Sequence, residues 1–166
     1  MKPLISIFLI FFPLYCFSQN SVVVKGTTNV NSFKCTNEKF NAISNSYSFK
    51  KDELPHLQLA VNDFDCKNKI MTNDMRKTLK STQFPIIYVN FLSFTKVSEQ
   101  QYRAHIEVKM AGKTKYYTTD FHPVNGNFVG REYIKFTDFG LTPPTKMGGI
   151  IVVNDNLDLL LTLKNY

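Results

Sequence analysis

Between Tyr102 and Met110 the chain alternates without a break. Tyr102, Ala104, Ile106, Val108 and Met110 fall on one parity, and Arg103, His105, Glu107 and Lys109 on the other. A period of two puts successive side chains on opposite faces of an extended strand, so this segment reads as a strand with one face buried and one solvated. Leu57, Leu59 and Val61 repeat the pattern, as do Leu157, Leu159, Leu161 and Leu163. Strands that expose one face to water are the mark of antiparallel sheets.

Around these, further segments rich in branched and aromatic residues read as strands: 21–26, 32–40, 86–94, 115–122, 128–136 and 156–164. The strand at Leu57 is expected to run on through Phe64 to Cys66. Ala111-Gly112-Lys113 and Asn125-Gly126-Asn127 supply turns, and the polar stretch 41–53 reads as a loop. Only 71–82 carries a helical signal. There Met71, Met75 and Leu79 recur every four residues, Thr72 or Asn73 offers a cap, and Asp74 lies in the first turn. Arg76, Lys77 and Lys80 follow, where they complement the helix dipole, and Phe84-Pro85 ends the element.

Residues 1–18 are set apart. Lys2 precedes an apolar run from Leu4 to Phe12, and Cys16 and Ser18 are small residues at the −3 and −1 positions of a cleavage after Ser18. This is the pattern of a secretory signal peptide, with an uncleaved anchor or a lipoprotein as the alternatives. It places the folded domain at 19–166 and the protein in an exported compartment, the periplasm. Removal of Cys16 leaves Cys35 and Cys66, which have a single possible pairing. An oxidising compartment favours a disulfide, and two buried thiols are the other reading.

A chain of 166 residues with 43% hydrophobic content suits one globular domain. About eight strands and one helix can be arranged as a sandwich or as a closed antiparallel barrel. Closure removes exposed edges. An eight-stranded barrel encloses an interior that side chains can fill or that can hold one small ligand.

Signals for catalysis are weak. His56, His105 and His122 lack partners at metal-ligand spacing, and His105 sits on the polar face of its strand. Asp63 and Asp65 share a strand face, and Asp155 and Asp158 flank the last strand, without an identifiable acid–base pair. Gly148-Gly149 reads as a turn, and no nucleotide or cofactor fingerprint is present, so no cofactor, metal or catalytic residue is expected. The net charge of +7 is not gathered into the stripe that nucleic-acid binding requires. Solubilisation explains the lysines, with weak association to an anionic membrane surface as a second role.

Three segments carry a resemblance: VKGTTNVNSFKC at 24–35, VNDFDCKNKIMTNDMRKTLKSTQFPIIYVNF at 61–91 and IKFTDFGLTPPTKMGGIIVVNDNLDLLLTL at 134–163. In their order and spacing they resemble the YceI-like family of polyisoprenoid- or lipid-binding barrels. The resemblance implies an all-β fold, an eight-stranded antiparallel lipocalin-like barrel with one short α-helix near its mouth. It also implies a non-enzymatic role, holding an isoprenoid-like or fatty amphiphile in an apolar interior. Carried onto this chain, Met71, Met75 and Leu79 face the mouth. Ile86, Tyr88, Leu92, Ala104, Ile106, Val108 and Leu159 are the candidates for the wall, although both faces of 86–94 are apolar. A Cys35–Cys66 crosslink ties the second strand to the segment entering the helix. A packed barrel serving as an envelope interaction or structural module, with no small-molecule ligand, is the alternative.

Overall fold

The computed structural model describes residues 20–39, 48–50 and 53–164. Residues 1–18, where a signal peptide is expected, lie outside the described residues, as does most of the loop expected at 41–53.

Nine strands form. They are β1 (Ser21–Thr28), β2 (Ser32–Asn37), β3 (His56–Ala60), β4 (Ile86–Ser98), β5 (Gln101–Met110), β6 (Lys113–Val124), β7 (Asn127–Lys135), β8 (Thr145–Lys146) and β9 (Ile151–Lys164). Eight of them make one curled antiparallel sheet in the order β2-β1-β9-β7-β6-β5-β4-β3, and the two-residue β8 pairs only with β9. Two-residue hairpins set much of the register. Ala111-Gly112 between β5 and β6 and Asn125-Gly126 between β6 and β7 take left-handed φ angles of 48° and 76°, and of 49° and 77°. That conformation matches the twist of the flanking strands.

The outer strands of the order, β2 and β3, share no continuous ladder. β2 instead meets the segment that follows β3. Thr36 and Asp65 exchange two backbone hydrogen bonds of 2.9 Å, and Cys35 and Cys66 form a disulfide. Asn37, fully buried, donates from Nδ2 to the Ala60 carbonyl at 3.1 Å.

Two segments depart from the sequence reading. The strand at Leu57 does not continue to Cys66. It stops at Ala60, and Val61–Asp63 forms a 3-10 turn that buries Val61, so Asp63 and Asp65 do not share a strand face. The helix α1 spans Lys69–Thr78, about a turn earlier than expected. Its cap is Asn68, whose Oδ1 accepts from the Met71 N–H at 3.0 Å. Thr72 is instead buried, its Oγ1 accepting from the Cys66 N–H at 3.1 Å. Met75 Sδ lies 3.8 Å from Cys66 Sγ. The helix is thereby docked on the same residue that forms the disulfide.

The inner face of the sheet is divided along its length. At one end Phe49, Phe91, Phe94, Tyr102, Phe121 and Phe128 pack with ring centroids 4.4–6.2 Å apart. Their offset and edge-on arrangements fill that end with ring against ring. The other end, beneath the helix, is hollow.

Candidate functional site

The hollow is a cavity of about 380 Å³. Its wall follows from strand parity. On β9, Leu157, Leu159 and Leu161 face in, opposite Ile134, Glu132 and Gly130 of β7 and Gly26, Val24 and Val22 of β1. On the far side Ile106 and Val108 of β5 stand beside Val89 and Ile87 of β4. Phe121 forms the floor, where the aromatic cluster begins. Leu159, Leu161, Met71 and Met75 turn toward this interior yet are only half-buried, because they border open space rather than packed neighbours.

Of the residues carried over as candidates, Met71, Met75, Leu79, Ile106, Val108 and Leu159 line the cavity. Ala104 also faces in, fully buried, but lies deeper, opposite Thr119. The expectation for 86–94 is corrected. Leu57 and Leu59 of β3 pair with Val89 and Ile87, and this register turns Ile87 and Val89 inward. Ile86 and Tyr88 therefore belong to the outer face. A bulge between Phe91 and Ser93 then shifts the parity, so that Phe91 and Phe94 both join the aromatic cluster while Leu92 is left 53% exposed.

The mouth is assembled from three chain segments. The β1–β2 turn is held by Thr28, whose Oγ1 accepts from the N–H groups of Val30 and Asn31 at 3.1 and 2.9 Å. Asn29 in that turn clasps the start of β9, donating to the Ile150 carbonyl at 2.8 Å and accepting from the Val152 N–H at 3.0 Å. Across the opening, Lys146 of β8 meets Asp74 of the helix, with Nζ and Oδ1 2.7 Å apart. Val30, Ile70, Met147 and Ile150 stand around this rim at 62–71% exposure as an apolar collar, and exposed Lys69 precedes Ile70 in the chain. The sequence reading missed the loop 140–150. Its prolines and glycines look like an ordinary connection, and only the contact with α1 and the β1–β2 turn gives it a place at the mouth.

One group interrupts the apolar wall. Tyr117 and Thr119 of β6 and Glu132 of β7 face the cavity. Thr119 Oγ1 donates to Glu132 Oε2 at 2.6 Å, and the Tyr133 N–H donates to Glu132 Oε1 at 3.1 Å. The Tyr117 hydroxyl lies 3.5 Å from Asp138 Oδ2. Burial, together with the Asp138 and Glu132 carboxylates, pushes the Tyr117 pKa up to about 12. The signal for Glu132 is present in the sequence. In Phe128, Gly130, Glu132, Ile134 it is the one charged residue on the inward parity.

The other residues weighed for chemistry lie apart from the cavity. His56 Nδ1 contacts Asn90 Oδ1 at 3.2 Å, His105 Nδ1 contacts Thr118 Oγ1 at 2.9 Å, and His122 Nδ1 contacts the Gln100 carbonyl at 2.8 Å, all on the exposed face. Asp155 accepts from the N–H and hydroxyl of Thr137, and hydrogen bonds from Thr137 hold its carboxyl below the usual range. Asp158 is held low chiefly by its paired hydrogen bonds from Arg131. These carboxylates fasten loops and strands.

A curled antiparallel sheet, floored by aromatic rings and overlaid at its hollow end by a short helix, defines a half-barrel β fold with an internal apolar cavity. The chain belongs to the YceI-like domain family, which matches residues 17–164. Solved structures agree on the fold. The crystal structure of Burkholderia cenocepacia BcnA is similar with a TM-score of 0.70 at 17% identity, covering 87% of this chain and 94% of that one. The Campylobacter jejuni YceI protein is similar with a TM-score of 0.60 at 15% identity, covering 75% and 81%. A polyisoprenoid-binding domain from Saccharophagus degradans is similar with a TM-score of 0.59 at 12% identity, covering 87% and 91%. No curated protein matches the chain at a significant level.

Proposed function

We propose that this protein is an exported, non-enzymatic carrier that holds the chain of an isoprenoid-like or fatty amphiphile inside a closed barrel. The observation that carries the reading is the apolar cavity of about 380 Å³ beneath α1. Small-molecule sites are typically concave, mostly apolar and about 300–1,000 Å³ in volume. Each buried methylene contributes roughly 0.8 kcal/mol, so ten of them give a gross gain of about 8 kcal/mol before ordering costs. The Thr36–Asp65 bridge and the Cys35–Cys66 disulfide support reading the curled sheet as closed at its seam. The Saccharophagus degradans relative is described as a polyisoprenoid-binding domain, which supports the same class of cargo.

Residues 1–18 act in this reading as a cleaved signal peptide that delivers the domain to the periplasm, where the disulfide persists. The exposed collar of Val30, Ile70, Met147 and Ile150, with exposed Lys69 next to Ile70 in the chain, supports brief contact with an anionic membrane surface while cargo crosses the mouth.

The test is titration of delipidated protein with fluorescent fatty alcohols and isoprenoids of several chain lengths. Saturable binding at micromolar levels or better is expected. Its absence at every length would leave the packed-module reading, to which the aromatic cluster at the opposite end lends support.

A further inference from the structure

The carrier reading leaves open which end of an amphiphile the interior recognises and what chemistry that end carries. Glu132, Thr119 and Tyr117 supply an answer. On β1, β4, β5 and β9 the side chains lining the interior are hydrocarbon or, at Gly26, absent, apart from Thr28 at the mouth. The polar side chains on the wall itself come from β6 and β7, where the two strands part company. Their ladder runs from Val124↔Asn127 to Phe121↔Gly130 and ends there. The next inward pair, Thr119 and Glu132, is joined by a side-chain hydrogen bond of 2.6 Å instead.

A carboxylate facing an apolar chamber costs free energy and contributes nothing to hydrophobic burial. An ionised carboxylate has about four acceptor positions. Here Thr119 Oγ1 and the Tyr133 N–H occupy one on each oxygen. The remaining capacity belongs to a site bordered by Leu159 of β9, which pairs with Glu132 in register. Asp74, the other carboxylate lining the chamber, is paired with Lys146 at the mouth, whereas Glu132 has no ion-pair partner among the described residues.

We infer that Glu132, positioned by Thr119 and flanked by Tyr117, is the head-group determinant of the cavity, and that it selects amphiphiles whose polar end donates hydrogen bonds and carries no negative charge. Resting on the carrier reading, this narrows the cargo to an alcohol, amide or amine on an apolar chain. A fatty carboxylate or an alkyl phosphate would bring a second negative charge beside Glu132 in a poorly solvated interior, where like charges repel strongly.

The test compares dodecanol, dodecylamine, dodecanoate and dodecyl phosphate, one chain with four heads, by titration of the delipidated protein at pH 8. Dodecanol and dodecylamine are expected to bind at least about tenfold more tightly than either anion. In Glu132→Gln the gap should shrink to about threefold or less through tighter anion binding. Thr119→Val removes the positioning hydrogen bond but keeps the carboxylate, and should still discriminate against anions. Equal affinity of the native protein for dodecanol and dodecanoate would overturn the inference while leaving the carrier reading intact. So would a preference that Glu132→Gln leaves unchanged in a folded protein. Saturable binding of none of the four probes would overturn both.

Discussion

Asp74 of α1 and Lys146 of β8 meet at 2.7 Å across the mouth of the cavity, and it is the ion pair that links the helix to the far rim. The lysine is half-exposed, and such pairs contribute about 0.2–1 kcal/mol. The pair sets how readily the rim parts rather than how well the interior holds a chain. Lys146→Ala should speed release of a fluorescent fatty alcohol roughly two- to fivefold in stopped-flow measurements, with both association and dissociation accelerated and the equilibrium affinity little changed. An affinity loss with no kinetic change would assign Lys146 to cargo contact instead.

The Cys35–Cys66 disulfide closes a loop with a sequence separation of 31 and anchors the helix through the Thr72 and Met75 contacts. On chain-entropy grounds a loop of this length gives about 3–4 kcal/mol. Urea denaturation with and without reductant, or of Cys35→Ser/Cys66→Ser, should show a loss of that size. A loss below about 1 kcal/mol would mean that the Thr36–Asp65 bridge and the Asn37–Ala60 hydrogen bond hold the seam without it.

Gly130 lies on the cavity wall directly over the Phe121 ring. A Cβ at this position would sit 2.5–2.7 Å from three ring carbons, and Phe121 is fully buried against Phe91 and Phe94. Gly130→Ala should destabilise the fold by about 1–3 kcal/mol through overpacking, read as a lowered urea midpoint at unchanged slope. A neutral effect would indicate that the floor can shift into the hollow.

Tyr117 introduces a dependence on alkaline pH. Its pKa is raised to about 12 in the folded protein, first by burial and then by Asp138 and Glu132, against the ordinary value of 10.0. The unfolded chain therefore releases the phenolic proton earlier than the folded one. The stabilisation tied to this group is complete below about pH 10 and declines as pH rises toward 12. Urea midpoints measured between pH 9 and pH 12 should fall less steeply for Tyr117→Phe than for the native protein.

Much of this architecture is legible in the sequence, and the failures have specific physical origins. The strict alternations at 102–110 and 157–163 fix both strands and the inward parity, which places Ile106, Val108 and Leu159 on the wall. The segment 86–94 offers two apolar faces, so local pattern cannot choose between them. The pairing of Leu57 and Leu59 with Val89 and Ile87 makes the choice, and the bulge at Leu92 then reverses it. For the helix, Asn68 caps earlier than Thr72 or Asn73 because Thr72 is taken by the Cys66 N–H. The mouth was the least legible part. It depends on contacts between Asn29 and Ile150, and between Asp74 and Lys146, residues more than seventy positions apart in the chain.

The central claim is that the space under α1 is cargo volume rather than a packing fault, and native mass spectrometry of the delipidated protein with dodecanol tests it most directly. A single saturable one-to-one adduct is expected for the native chain, with weaker binding in Leu159→Trp, which narrows the hollow from β9 without touching the mouth. Absence of the adduct in the native protein, or undiminished affinity in a folded Leu159→Trp variant, would contradict the account.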